Sequence, residues 1–247
     1  MNFLFHLGRY LMMLKKVFSR PERWRLYLKQ LSLEMDKIGI SSVPIIVIVS
    51  LFMGAVMTLQ VAYNVESPFV MDYLIGLSTR DTMMLEFSST MVGLILAGKV
   101  GSNIASEIGT MRISEQIDAM EMMGVNSASF LILPKLLAAV LFSSIFTIVS
   151  IAVGLIGGYL VAVFTDAVTV HDYVLGLHTY FIPFYLYQAL IKSAIFAIIL
   201  TTVPAYHGFY VSGGALEVGK ASTKAVVFSS IIILMFNLIL TQLLLAK

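Results

Sequence analysis

The chain has 247 residues, of which 59% are hydrophobic and only 12% charged, with a mean hydropathy of +0.93. A soluble domain carries about twice that charged fraction, and the apolar residues collect into runs long enough to cross a bilayer, about 20 residues each, so this is an integral membrane protein. The formal charge of +2 excludes nothing by itself, whereas the absence of cysteine rules out disulfides, thiolate catalysis and cysteine metal sites.

Residues 1–18 interleave Phe3, Phe5, Leu7, Leu11, Leu14 and Phe18 with Arg9, Lys15 and Lys16, an apolar stretch too short to span. The basic residues follow the first apolar patch and no small-residue cleavage site is present, so a removable signal peptide is not expected. After Arg20-Pro21, Trp24, Leu28, Leu31 and Met35 fall at helical spacing, with Arg23, Arg25 and Lys29 on other faces. A basic amphipathic helix with a tryptophan lies naturally in the headgroup plane, so residues 1–40 are expected to be interfacial.

Five spans follow, at about 43–63, 83–106, 130–164, 184–204 and 225–246. The second is weakly hydrophobic and carries Glu86 and Lys99. The third run is longer than a bilayer requires, and it either continues as one helix or breaks near Gly154, Gly157 and Gly158. The expected fold is all-α, one membrane domain over residues 1–247 with its transmembrane region at 43–246. Arg9, Lys15, Lys16, Arg20, Arg23, Arg25, Lys29 and Lys37 precede the first span. Arg112, Lys135, Lys220 and Lys224 lie on the same side, whereas segments 64–82 and 165–183 hold only Arg80 against Glu66, Asp72, Asp81, Asp166 and Asp172. The positive-inside rule therefore puts the N-terminus and segments 107–129 and 205–224 in the cytoplasm, with Lys247 outside.

The stretch Gly93–Gly124 carries the strongest signal. In its first half Gly93, Ala97, Gly101, Ala105 and Gly109 recur every fourth position, the pattern by which helices approach closely in lipid; Gly154 and Gly158 repeat it in the third run. Gly93-x4-Gly98-Lys99 imitates a phosphate-binding loop, but Val100 stands where Ser or Thr is needed and no strand precedes it, so a nucleotide site is rejected. In the second half, projected as one helix, Ile113, Ile117, Met120 and Gly124 form an apolar stripe opposite Met111, Glu115, Asp118 and Met122. Arg112 is placed to pair with Glu115 or Gln116 at i+3 or i+4. Glu107, Glu115, Asp118 and Glu121 outnumber Arg112, and a helix resting on lipid would favour Lys/Arg on its polar face. A protein partner with basic and apolar pockets fits better, since methionines suit such grooves.

Glu86 and Lys99 lie too far apart along one helix to pair, and a structural or interfacial role is favoured for each over a proton relay. His6, His171, His178 and His207 form no HExxH pair and no GxSxG occurs. His171, His178 and Asp172 share an outer loop whose polarity explains them without a metal.

The run AGKVGSNIASEIGTMRISEQIDAMEMMGV resembles the signature of the MlaE-type permeases of ATP-binding-cassette lipid transporters, which work with MCE-domain proteins. The resemblance is densest over 95–125 and extends more loosely over the whole chain, including the VGKASTKAVV run at 218–227. After Glu86 this chain reads Phe87-Ser88-Ser89 where the family has Leu-Gly-Pro, a departure that bears on helix shape there.

The resemblance implies a non-catalytic homodimeric permease that moves membrane lipid, phospholipid by family analogy. It sits in the bacterial inner membrane, clasped from the cytoplasm by an ATPase subunit that binds the ATP and magnesium. The chain itself is expected to hold no cofactor or metal and no nucleic acid. An MCE-domain periplasmic protein and a small STAS-domain regulatory subunit are further implied partners. The coupling helix corresponds to 107–124, with Glu107, Arg112, Glu115, Gln116, Asp118 and Glu121 on or beside the ATPase-facing surface. Leu51, Met57, Leu59, Val61 and Tyr63 are candidates for the lipid cavity. Two rivals stand beside this reading: a proton-coupled secondary transporter using Glu86 and Lys99, and an intramembrane lipid enzyme using Asp166, His171 or His178.

Overall fold

The computed structural model describes residues 2–19, 24–65 and 71–245. Arg20, Pro21, Arg23, Glu66, Ala246 and Lys247 lie outside the described residues, as do the side chains of Phe3, Trp24 and Arg25. The described chain is helical throughout, without strands. Helix α1 covers Asn2–Val17 and α2 Trp24–Asn64. Helix α3 runs Tyr73–Ile113, interrupted by two π-helical stretches, Met83–Phe87 and Ala97–Gly101. The short α4 is Gln116–Met122, α5 is Ser127–Phe164, α6 is Val170–His178, α7 is Pro183–Phe209 and α8 is Ala215–Leu245. Helices α2, α3, α5, α7 and α8 are long and apolar enough to cross a membrane, so the chain is a multi-pass membrane protein.

Two boundaries differ from the sequence reading. The third apolar run, for which the sequence allows either one helix or a break, is one helix through Gly154, Gly157 and Gly158. The second span is part of a much longer helix, because the flanking Tyr73–Thr82 and Ser102–Ile113 stretches are helical too. The segment expected to lie apart in the headgroup plane is the first half of α2, continuous with the first span through Pro44. Its phase also differs. Leu28 is 55% exposed, whereas Tyr27, Glu34, Ile38 and Ser42 are buried on another face. The protein-facing stripe thus contains a glutamate, which hydropathy assigns to water.

The helices pack into two compact units, each drawn from separate stretches of chain. The first comprises described residues within Met1–Ser42, Gly93–Phe142 and Ile195–Leu243. Here α1 docks through polar aromatic contacts. His6 Nδ1 lies 2.7 Å from the Tyr206 hydroxyl, Tyr10 Oη lies 2.7 Å from Thr202 Oγ1, and the Arg9 guanidinium sits 3.8 Å from the centre of the Tyr210 ring. Burial pushes the Tyr10 phenol up from its ordinary value. Asn126 Nδ2 donates at 3.0 Å to the Lys16 carbonyl, which also accepts from Ser19 Oγ at 2.9 Å, so the end of α1 is tied to the segment before α5. Leu4, Phe5, Leu11 and Met12 stay exposed on the other face of α1.

The second unit comprises described residues within Val43–Val92, Ser143–Ala194 and Leu244–Lys247. One apolar cluster gathers Ala62, Ile75, Ala162, Val168 and Tyr173, and another Met84, Ile151 and Ala189. Burial pushes the Tyr173 phenol up to about 12, so it stays neutral and donates to the Leu155 carbonyl at 3.1 Å. Arg80, counted from sequence as an outer-loop charge, is 2% exposed. Its guanidinium donates to the carbonyls of Leu177, Thr179 and Tyr180 and to Asp81, closing the C-terminal end of α6, where unpaired carbonyls and the helix dipole favour a cation. Glu86 is likewise paired within this unit: the buried Lys192 Nζ lies 2.8 Å from its carboxylate and 2.9 Å from the Leu85 carbonyl.

Candidate functional site

The acidic stretch after Ile108 is two helices, not one. Helix α3 ends at Ile113, and Ser114 and Glu115 turn the chain, with Glu115 in the left-handed region at φ 60°. A non-glycine residue there is uncommon, so the turn is held by its neighbours. Ser114 Oγ donates to the Thr110 carbonyl at 2.8 Å, and Gln116 Nε2 donates to Ser114 Oγ at 3.0 Å. The break corrects the expected pairing of Arg112. Helical i+3 and i+4 neighbours no longer face it, and Nη1 instead reaches Asp118 Oδ1 at 2.5 Å across the turn.

Helix α4 is anchored beneath by Ile117, which is fully buried, with Ile113 and Met120 half-buried beside it. Gly124 closes it at φ 80°, its N–H bonded to Glu121 O at 3.0 Å and that of Val125 to Met120 O at 3.0 Å. These are the two bonds of a Schellman cap, which needs a residue tolerant of positive φ at that position. Glu121 accepts from Ser127 Oγ at 2.9 Å, tying α4 to the start of α5. What remains outward is Glu115, Gln116 and Glu121 with Met122 at 87% and Met123 at 72% exposure. The tip therefore offers carboxylates and flexible thioethers on a short helix fastened at both ends.

Glu107 does not belong to that tip. Lys135 Nζ lies 2.6 Å from Glu34 and 2.7 Å from Glu107, and Lys37 bridges the same two carboxylates at 3.7 Å and 3.3 Å. The side chains of Glu34 and Lys135 are 3% and 2% exposed. This network joins α2, α3 and α5, and it includes two residues that sequence reasoning missed. Glu34 stands beside, not within, the Trp24, Leu28, Leu31 and Met35 stripe of the sequence. Lys135 was counted as a loop charge, although it follows Pro134 inside an apolar run. The available signal was a charged residue in step with the apolar positions Tyr27, Leu31 and Ile38.

The small-residue positions of α3 line a close seam. A methyl group added at Gly101 would meet Pro204 Cγ at 3.1 Å, at Gly109 Val218 Cγ1 at 3.0 Å, and at Gly93 Phe196 Cδ2 at 3.1 Å. Ala97 and Ala105 are fully buried, and Gly208 of α7 faces the Ala105 carbonyl. Gly98, one position outside the repeat by sequence, has open space where a Cβ would stand. Gly101→Leu should therefore cost about 1–3 kcal/mol, the usual range for overpacking. Gly98→Ala should be neutral or stabilising by about 0.5–1 kcal/mol, because alanine is the better helix former. Thermal unfolding of the two purified variants in detergent checks the contrast.

The five cavity candidates do not share one face. They stand mostly two residues apart, a spacing that alternates around a helix. Val61 packs on the Ala62–Tyr173 cluster, Leu51 and Met57 are half-buried, and Leu59 and Tyr63 are exposed. His171 and His178 stand at opposite ends of α6, roughly 10 Å apart along its axis. Among the described residues no three His, Asp or Glu side chains gather as metal ligands.

Comparison with known proteins bears on the chain as a whole. The sequence profile of the permease MlaE matches residues 31–243. A probable ABC transporter permease protein of Rickettsia bellii is 34% identical over 227 residues, covering 92% of this chain and 86% of that protein. Another, from Synechocystis, is 30% identical over 210 residues, covering 85% and 80%. The intermembrane phospholipid transport system permease protein MlaE of Haemophilus influenzae is 29% identical over 241 residues, covering 97% and 92%. With five spanning helices and a match over most of its length, this chain belongs to the MlaE permease family.

Proposed function

We propose that this chain is the permease subunit of an ATP-binding-cassette transporter that moves phospholipid between its own membrane and an MCE-domain partner. The observation that carries the reading is the family match over residues 31–243, joined to relatives named as ABC permeases and one as a phospholipid permease. We read the whole chain as one permease domain in a bacterial inner membrane, N-terminus cytoplasmic and C-terminus periplasmic, as the lysine and arginine asymmetry favours. It works as a pair of copies, with ATP and magnesium on a separate ATPase subunit and a STAS-domain subunit as a further partner.

The tip of α4 is the ATPase contact. Its fastening supports that role: Arg112–Asp118 ties it to α3 and Ser127–Glu121 ties it to α5. A push on α4 is thereby delivered to two membrane helices as a rigid-body displacement, one of the usual elements of a switching transition. The buried network of Glu34, Lys135 and Glu107 then carries it to α2. The seam of Gly101, Ala105 and Gly109 supplies the surface on which α3 shifts. The proton-relay reading draws no support from the ionisable residues it needs, since Glu86 is paired with Lys192 and Lys99 donates to the Ser41 carbonyl.

Gentle purification of the chain from native membranes should recover an ATPase, an MCE-domain protein and phospholipid, identified by mass spectrometry; recovery without any ATPase would sink the proposal. The double variant Glu115→Lys, Glu121→Lys reverses the charge of the tip, and the ATPase recovered with it should fall by about tenfold, the loss of one or two interfacial charge pairs. Lipid transfer in reconstituted vesicles should fall with it. Full ATPase recovery and full transfer would remove α4 as the contact.

A further inference from the structure

A cavity of about 470 Å³ lies within the first unit, walled by α2, α3 and α5. That is inside the range of small-ligand sites, about 300–1,000 Å³. Its walls carry Lys37, Lys99 and Lys135 against Glu34 and Glu107, leaving one positive charge. The two carboxylates are saturated by Lys37 and Lys135. Lys99 is different: it pairs with no carboxylate among the described residues, and its ammonium donates to the Ser41 carbonyl, leaving two of its three N–H groups to spare.

The backbone around Lys99 is also unusual. It sits in the π-helical stretch Ala97–Gly101, a form that is rare and concentrated at functional sites. Asn103 and Ser106 follow on the same cavity wall, and neither side chain bonds to another described residue. Lys99 and Ser106 are half-buried and Asn103 is exposed, so their polar atoms are accessible to a ligand entering this cavity from solvent.

We propose that this cavity is a binding site for one singly charged phosphate-type anion, held by Lys99 with Asn103 and Ser106. The anion is the phosphodiester of an anionic lipid headgroup or a free phosphate, which share this chemistry. One negative charge closes the balance of the cavity. A second would meet the carboxylates of Glu34 and Glu107, so the site selects monoanions. The inference does not rest on the transport reading, and failure to recover an ATPase leaves it standing.

The test is calorimetric titration of the full chain in an uncharged detergent with phosphatidylglycerol, phosphatidylcholine and inorganic phosphate in separate arms. Phosphatidylglycerol or phosphate is expected to saturate one site per chain, at least about tenfold tighter than phosphatidylcholine, the worth of one charge-assisted bond; the arm that saturates identifies the source. Lys99→Gln should abolish the preference, and the exposed Lys224→Gln should keep it within about twofold. Asn103→Leu leaves the Lys99–Ser41 bond in place and should weaken the same binding several-fold, so it decides the matter if Lys99→Gln does not fold. No saturable site in either anion arm, or wild-type affinity in both Lys99→Gln and Asn103→Leu, overturns the proposal.

Discussion

Lys135→Met should sharply destabilise the chain, although methionine nearly matches the lysine in length and raises hydrophobicity in an apolar helix. The reason is what it leaves behind. Glu34 and Lys135 are both almost wholly buried, 2.6 Å apart, and Glu107 shares the same ammonium at 2.7 Å. Removing one partner of a buried pair costs about 3–5 kcal/mol, because the remaining charge stays desolvated and unanswered. That is a large part of the 5–15 kcal/mol by which a domain is typically stable. For a chain of this size it corresponds to a fall of roughly 10 °C in melting temperature. The charge-balanced double variant Glu34→Gln, Lys135→Met should recover part of the loss. The carboxylate it leaves, Glu107, is 37% exposed and keeps Lys37 at 3.3 Å. Fluorescence-detected size exclusion and thermal unfolding in detergent read both variants. A single variant that melts within about 2 °C of the parent, or a double variant no better than the single, would show that the network holds nothing.

The same residues explain what was legible beforehand. All five spans could be read from the chain, because transfer of apolar side chains into lipid is a one-body property that a run of residues displays by itself. Helix-packing glycines and alanines were visible for a similar reason, through their fourfold spacing. Pairing is different. Lys135 meets Glu34 from 101 residues away and Lys192 meets Glu86 from 106, and neither partner marks the other in the sequence. Burial of Glu34 turns the protein-facing side of the first half of α2 away from Leu28, and the sequence does not mark it, since a satisfied glutamate looks like a solvent-facing one. The break at Ser114 and Glu115 was hidden because a glutamate at φ 60° carries none of the usual signals of a turn, unlike Gly124 nine residues later. With the break missed, Arg112 was matched to residues that a continuous helix would have placed beside it. The two π-helical stretches of α3 leave no compositional trace either, and one of them positions Lys99.

Gly54→Ala should be the most damaging single methyl group that can be added to this protein, and it falls at a glycine outside every motif read from the sequence. An ideal Cβ at Gly54 would stand 1.8 Å from the carbonyl oxygen of Gly154, and one at Gly157 would stand 2.0 Å from that of Leu51. Both clashes are with backbone, so no rotamer change relieves them and α2 and α5 must separate where they cross. Helix association in lipid draws on close packing, having little hydrophobic drive between helices, so separation removes the attraction itself. Overpacking a core ordinarily costs about 1–3 kcal/mol; backbone contact at these distances puts Gly54→Ala and Gly157→Ala at or above the upper end. Gly154→Ala meets instead the terminal methyl of Met83, at 2.2 Å. That is the end of a flexible side chain which can swing aside, so its cost should be small. Intrinsic propensity points the opposite way, since alanine in place of a helical glycine otherwise gains about 0.5–1 kcal/mol, so the sign of each shift separates contact from propensity. The expected order of melting temperatures in detergent is Gly98→Ala at or above the parent, Gly154→Ala near it, and Gly157→Ala and Gly54→Ala far below. If Gly54→Ala melts with or above the parent, the two backbones do not touch at this crossing, and the stability of the second unit must come from its apolar clusters instead.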